Sequence, residues 1–269
     1  MQIINRNLFQ AHPFHLVSPS PWPLNSSIAL FNLTCSGVLN MHGFSQSNFF
    51  VFSAIFLVIF AMSFWFRDII SEGTYRGNHT LAVQRGINIG VGLFITSEAL
   101  FFLAIFWAYF HSALSPTIEL GSSWPPQGVK AIDAFELPLL NTIILLSSGV
   151  LVTYAHHSLI GGNRKETLYG LILTVILAFV FTCLQELEYS MAEFTLSDGA
   201  FGSCFYFATG FHGIHVIIGT AFIAVGFWRV LAYHLTENHH VGLESSILYW
   251  HFVDIVWLLL YISVYYWGS

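Results

Sequence analysis

Two acidic side chains stand in runs that should not tolerate them: Glu98, inside ITSEALFFLAIFWAYFH at residues 95–111, and Asp254, inside YWHFVDIVW. In a membrane each costs about 2.5–3.5 kcal/mol on insertion scales, so such groups face a protein interior and have partners. Histidines supply candidates. His212 and His215 form HGIH and share a helix face, and His251 precedes Asp254 by three positions, one helical turn. These residue types permit three chemistries: a hydrogen-bonded pair that fixes helix packing, a proton relay, or a metal site. A low-spin haem wants two facing imidazoles at one depth, and copper or zinc wants three or four converging ligands. The pair His156 and His157 points to different faces, while His239 and His240 fall in a polar loop where water satisfies them. No metal is expected on His156, His157, His212, His215, His239 or His240. One acid with two histidines makes no continuous proton wire, so the residues favour structural pairing over a relay.

What must position these groups follows from composition. Of 269 residues, 8% are charged and 55% hydrophobic, against about 25% charged in soluble domains, so an ordinary water-solvated surface is excluded. Eight basic residues spread along a chain of net charge −6 give no nucleic-acid surface. Cys35, Cys183 and Cys204 stand singly, which offers neither a disulfide framework nor a thiolate metal site. The first residues, MQIINRNLFQAHPFHL, show neither an apolar signal core nor an Arg/Ser-rich presequence.

About 20 apolar residues cross a bilayer core, and seven runs qualify: 23–41, 48–66, 86–111, 138–157, 167–187, 200–232 and 246–267. The expected fold class is an all-α polytopic membrane protein with seven transmembrane helices. The first run is the weakest, diluted by Asn25, Asn32, Gly37 and Asn40. Gly90, Gly92, Gly210, Gly213 and Gly219 fall within spans, where small residues let helices approach closely. Placing the N-terminus on side one puts Arg6, Arg67, Arg76, Arg85, Arg164, Lys165 and Arg229 there and leaves only Lys130 on side two. The positive-inside rule then assigns the N-terminus to the cytoplasm-equivalent compartment. Glu119, Asp133, Glu136, Glu186, Glu188, Glu193 and Asp198 gather on side two.

Depth matches the polar groups across helices. Glu98 lies 13 residues before His111 on span three, and His212 lies 12 residues after Ala200 on span six, which runs the other way. Both therefore sit roughly 18–20 Å from side two, and His215 is one turn further on. Separating charges there costs several kcal/mol per ion. The expectation is a buried, hydrogen-bonded Glu98 paired with His212 or His215 rather than two free ions. His251 and Asp254 are expected to form a second buried polar knot. Near side one, Arg67, Arg76, His79, Arg85 and Arg229 sit where lipid phosphates would lie, although the positive-inside rule alone also places them there.

Several stretches are specific: HPFHLVSPSPWP, WFRD, SEALFFLAIFWAYFHSALSP, WPPQG, LPLLNTIILLSSG, HHSLIGGNRK, FTLSDGAFGSCFYFATGFHGIHVIIG and NHHVGLESSILYWHFVDIVWLLLYISVYYWG. Together, from about residue 12 to 269, they resemble the mitochondrial type of the cytochrome c oxidase subunit III family. The resemblance implies a non-catalytic core subunit of the terminal oxidase in the mitochondrial inner membrane, multi-pass, with its N-terminus in the matrix and its C-terminus in the intermembrane space. It implies a two-helix hairpin and a five-helix bundle separated by a lipid-filled cleft, with residues 1–72 in the first part and 73–269 in the second. It implies no haem or copper in this chain, these being carried by the partner subunits I and II, with further small subunits and phospholipids as partners. Glu72, His79 and Arg229 match positions associated with lipid headgroups, and Glu98 matches a helix-three carboxylate discussed in connection with proton movement. Phe66 stands where a tryptophan often precedes the arginine of WFRD, so one possible indole hydrogen bond to lipid is missing.

Two alternatives remain open on the residues alone. An independent transporter would want a helix broken near the midplane, at which only the Gly-rich sixth span hints. A haem- or copper-binding membrane oxidoreductase would need the histidines to converge.

Overall fold

A computed structural model describes residues 11–118 and 121–268, so Arg6 and Glu119 of the charge count lie outside the described residues. Seven helices follow in order: α1 Trp22–Met41, α2 Ser47–Thr74, α3 Leu81–Leu114, α4 Leu137–Ile160, α5 Arg164–Met191, α6 Gly199–Leu231 and α7 Val241–Leu260. A π-helical turn, Tyr261–Tyr266, continues α7. Six of the seven are long and apolar enough to cross a membrane; α1 is not, by composition, because of the polar residues that dilute it.

The chain separates into two compact units that divide between Ile87 and Asn88, inside α3. In the first, α1 and α2 form an antiparallel hairpin in which the small residues Ser26, Ala29 and Ser36 of α1 and Ala54 and Ala61 of α2 are buried. Trp22 stacks on Phe64 at 5.4 Å and donates its Nε1–H to Asp68 at 2.6 Å. The segment before α1 is tied to the α2–α3 turn: Thr80 Oγ1 donates to the Pro13 carbonyl at 2.5 Å, and Asn78 Nδ2 meets His15 Nε2 at 3.1 Å. Those ties hold the start of α3 in the first unit.

The second unit is built around α7. Trp250 and Trp257 are fully buried and reach α4, their Nε1–H groups donating to Ser148 Oγ at 3.0 Å and Thr142 Oγ1 at 2.9 Å. Trp is stable inside only with its N–H satisfied, so these bonds set the register of α7 on α4. The glycines that permit close approach differ from those expected. A Cβ on Gly90, Gly92, Gly210 or Gly213 would meet nothing within 4 Å. Of the expected set Gly219 is close-packed, against Trp250, and Gly149, Gly170 and Gly226 are likewise tight against neighbouring helices. The reason is facial: spacing within one helix does not reveal which side a neighbour occupies.

α6 ends in a tight turn with Tyr233 at φ +57°. That left-handed backbone is unusual for a bulky residue. Arg164 supports it, with its guanidinium 3.9 Å over the Tyr233 ring and donating to the Val230 and Leu231 carbonyls at 3.2 and 2.9 Å. A cation at a helix C-terminus also complements the helix dipole.

Candidate functional site

The buried residues of α3 form one narrow stripe, Phe102, Ile105, Tyr109 and Ala113. Glu98 lies one turn before that stripe and points at α6, where its Oε2 is 2.9 Å from His215 Nε2. His215 Nδ1 lies 2.7 Å from the Phe211 carbonyl, one turn back on its own helix. A carbonyl only accepts, so Nδ1 carries a hydrogen, and one further proton is shared between Nε2 and the carboxyl oxygen. Phe102 lies edge-on to the imidazole and Tyr249 stacks on it.

Of the two expected alternatives it is His215 that pairs with Glu98, and one expectation, the burial of Glu98, needs correction. Of the two histidines at matching depth, His212 is not the partner: it is buried against Phe181 and Trp257, with its Nε2 3.2 Å from the Val253 carbonyl. It turns toward α7, away from α3. Nor is Glu98 fully buried, since 25% of its side chain remains exposed in the chain by itself. The narrowness of the α3 stripe leaves that edge open.

His251 and Asp254 do meet on α7, Nδ1 to Oδ2 at 3.6 Å, and His251 Nε2 lies 3.1 Å from Thr153 Oγ1 on α4. Gly149 makes room for the carboxyl: a Cβ there would come within 2.5 Å of Asp254 Oδ2. Asp254 Oδ1 is buried without a hydrogen-bond partner.

A third buried acid, whose burial sequence reasoning missed, lies at the side-two end of α5. Glu188, counted among the side-two acids, lies in the last turn of α5 and is 1% exposed. Its Oε1 accepts from Tyr265 OH at 2.6 Å and Gln185 Nε2 at 3.0 Å, while Asn141 Nδ2 reaches Gln185 Oε1 at 3.5 Å. Nearby, Tyr189 OH donates to Thr209 Oγ1 at 2.8 Å. The available signal was the i, i+3 spacing of Gln185 and Glu188. It was masked because the fifth run stops at residue 187, whereas α5 continues to Met191.

The three positions expected at lipid headgroups divide between the units. In the first, His79 folds against Gly73, where a Cβ would lie 2.7 Å from His79 Nδ1, and Glu72 is half-buried beside them. In the second, Arg229 ends α6 with its Nη1 2.5 Å from where a Gly242 Cβ would be. Burial, followed by the Arg229 charge, holds His234 and His239 in the adjoining loop below the ordinary imidazole value. At the opposite ends of the helices Lys130 pairs with Glu193 at 2.8 Å, and that hydrogen bond raises the amine above its usual value.

His156 and His240 come ring to ring at 5.4 Å. Among the described residues no group of three His, Cys, Asp or Glu is arranged to hold a metal ion.

One substitution pair reads the Glu98 contact directly. Glu98→Gln keeps the shape and a donor to His215 Nε2, so the thermal stability of the chain should stay near that of the parent. Glu98→Ala leaves a buried imidazole nitrogen without its partner, which costs about 1–3 kcal/mol, and should lower the thermal stability of the α3–α6 contact. Equal stability of the glutamine and alanine forms would contradict a structural role for the pair.

Comparison with known proteins bears on the whole chain. The family model described as cytochrome c oxidase subunit III matches residues 12–269. Cytochrome c oxidase subunit 3 of Podospora anserina is 67% identical over 264 residues, covering 98% of each chain. That of Neurospora crassa is also 67% identical with the same coverage, and that of Yarrowia lipolytica is 59% identical over 261 residues, covering 97% of each.

Proposed function

The chain belongs to the cytochrome c oxidase subunit III family, and from that premise we propose that it serves as a non-catalytic core subunit of the respiratory terminal oxidase. The observation that carries this reading is a match spanning residues 12–269 rather than one motif. The oxidase passes electrons from cytochrome c to oxygen and pumps protons. In this reading haem and copper reside in subunits I and II, and this chain stabilises subunit I and supports proton uptake into it.

The membrane is the mitochondrial inner membrane, crossed several times, with the N-terminus in the matrix and the C-terminus in the intermembrane space. The basic residues concentrated on one set of loops support that orientation. Phospholipids are the resident ligands. The proposal keeps the helix 1–2 hairpin (1–72) and the five-helix bundle (73–269) as the two parts that hold them, with Glu72, His79 and Arg229 at the headgroups.

Replacing the arginine tests the lipid role. Arg229→Ala should lower the phospholipid retained per purified oxidase and shorten activity over repeated turnover, while the first turnovers proceed at the normal rate. Unchanged phosphorus content in the purified variant would count against a headgroup at this position.

A further inference from the structure

Along the seam between α4 and α7, titratable side chains descend from the side-one end of the bundle. His240 precedes α7 and Glu244 lies in its first turn. His156, in the last turns of α4, meets the His240 ring at 5.4 Å and is within electrostatic reach of Glu244 and His251. By helical rise, Glu244 and His156 sit about 5 and 6 Å below the helix ends, Thr153 about 10 Å, His251 about 15 Å and Asp254 about 20 Å. The seam therefore leads from the side-one surface to a carboxyl well inside the span.

Two atoms on it are orphaned. His156 Nε2 and Asp254 Oδ1 are buried without hydrogen-bond partners. A buried carboxylate with a bare oxygen is costly, and a proton on the carboxyl removes its charge. Among the described residues His251 is the titratable group set against Asp254, Nδ1 to Oδ2 at 3.6 Å, and Gly149 faces the carboxyl from α4.

Thr153 gives this pair two forms. Its Oγ1 lies 2.9 Å from the Gly149 carbonyl and 3.1 Å from His251 Nε2. The hydroxyl has one hydrogen and can give it to either. With the hydrogen on the carbonyl, Thr153 accepts from Nε2–H, and a further proton lies between Nδ1 and the carboxyl. With the hydrogen on a bare Nε2, Nδ1–H donates to the carboxylate. The two forms differ by one proton, which enters at Nε2 while the Nδ1 proton passes to Oδ2.

We infer that His251 and Asp254 form a proton-storing site of this chain, filled from side one along the α4–α7 seam by way of His156. The step from His156 to Thr153, about one helical turn, is made through water, and Thr153 turns its hydrogen as the proton arrives. This goes beyond support of proton uptake into subunit I, since the site stands whether or not its proton is passed on.

Infrared spectroscopy of the intact, purified oxidase transferred from H2O to D2O tests it. A carboxylic-acid carbonyl band should shift on transfer and be missing from Asp254→Asn. Thr153→Val keeps the shape without the hydroxyl, and His156→Phe closes the entry. Each should slow the shift of that band by roughly tenfold or more, given that a positioned proton carrier contributes about a hundredfold. If no such band is lost in Asp254→Asn, the proton site is overturned. An unchanged exchange rate in either Thr153→Val or His156→Phe would overturn the route. Should Asp254→Asn fail to assemble, Thr153→Val identifies the band as the one whose exchange it slows, and finding none slowed would overturn the inference.

Discussion

Glu188→Ala is expected to release this chain from the oxidase at markedly lower temperature than the parent. Two buried donors, Tyr265 OH and Gln185 Nε2, share the one carboxyl oxygen that alanine removes. Each orphaned group costs about 1–3 kcal/mol, so the total is about 2–6 kcal/mol before any cavity is counted. The damage should concentrate where α5 meets the π-helical turn, because Tyr265 is delivered by that turn. Glu188→Gln keeps an oxygen acceptor and should lose much less. Heat-release midpoints for the alanine and glutamine forms that coincide with each other and with the parent would contradict this role.

Gly170→Leu should be nearly as harmful for the opposite reason. A Cβ at Gly170 would lie 2.8 Å from the Ala155 Cβ and 3.0 Å from the Leu151 carbonyl, so α4 and α5 must separate to admit a side chain. Overpacking a well-packed site costs about 1–3 kcal/mol, and backbone on the opposing side leaves little room for relief. Gly213→Leu adds the same volume where a Cβ meets nothing within 4 Å, and should be tolerated. Equal amounts of assembled chain for the two variants would show that the α4–α5 approach is looser than described.

Much of the architecture was legible because a membrane span is a one-dimensional signal. Length and apolarity are visible without knowledge of neighbours, and all seven helices fall on the seven runs. Facial information was less visible. Matching depths brought Glu98 to both His212 and His215, yet depth says nothing about azimuth, and only His215 faces α3. The His251–Asp254 contact was readable because both residues share one helix, where i, i+3 spacing fixes the face. Glu188 was missed at a helix end, where the hydropathy signal fades before the helix stops. The Trp250–Ser148 and Trp257–Thr142 bonds join residues a hundred or more positions apart, and no periodicity announces them.

The central claim is that this chain sustains the oxidase without performing its redox step. The most direct measurement compares purified oxidase with and without the chain for haem and copper content, first-turnover oxygen reduction and activity over sustained turnover. The account predicts unchanged haem and copper, normal first turnovers, and faster decay of activity in the depleted enzyme. Loss of a haem or copper equivalent on depletion, or failure of the first turnover with the metals retained, would contradict it.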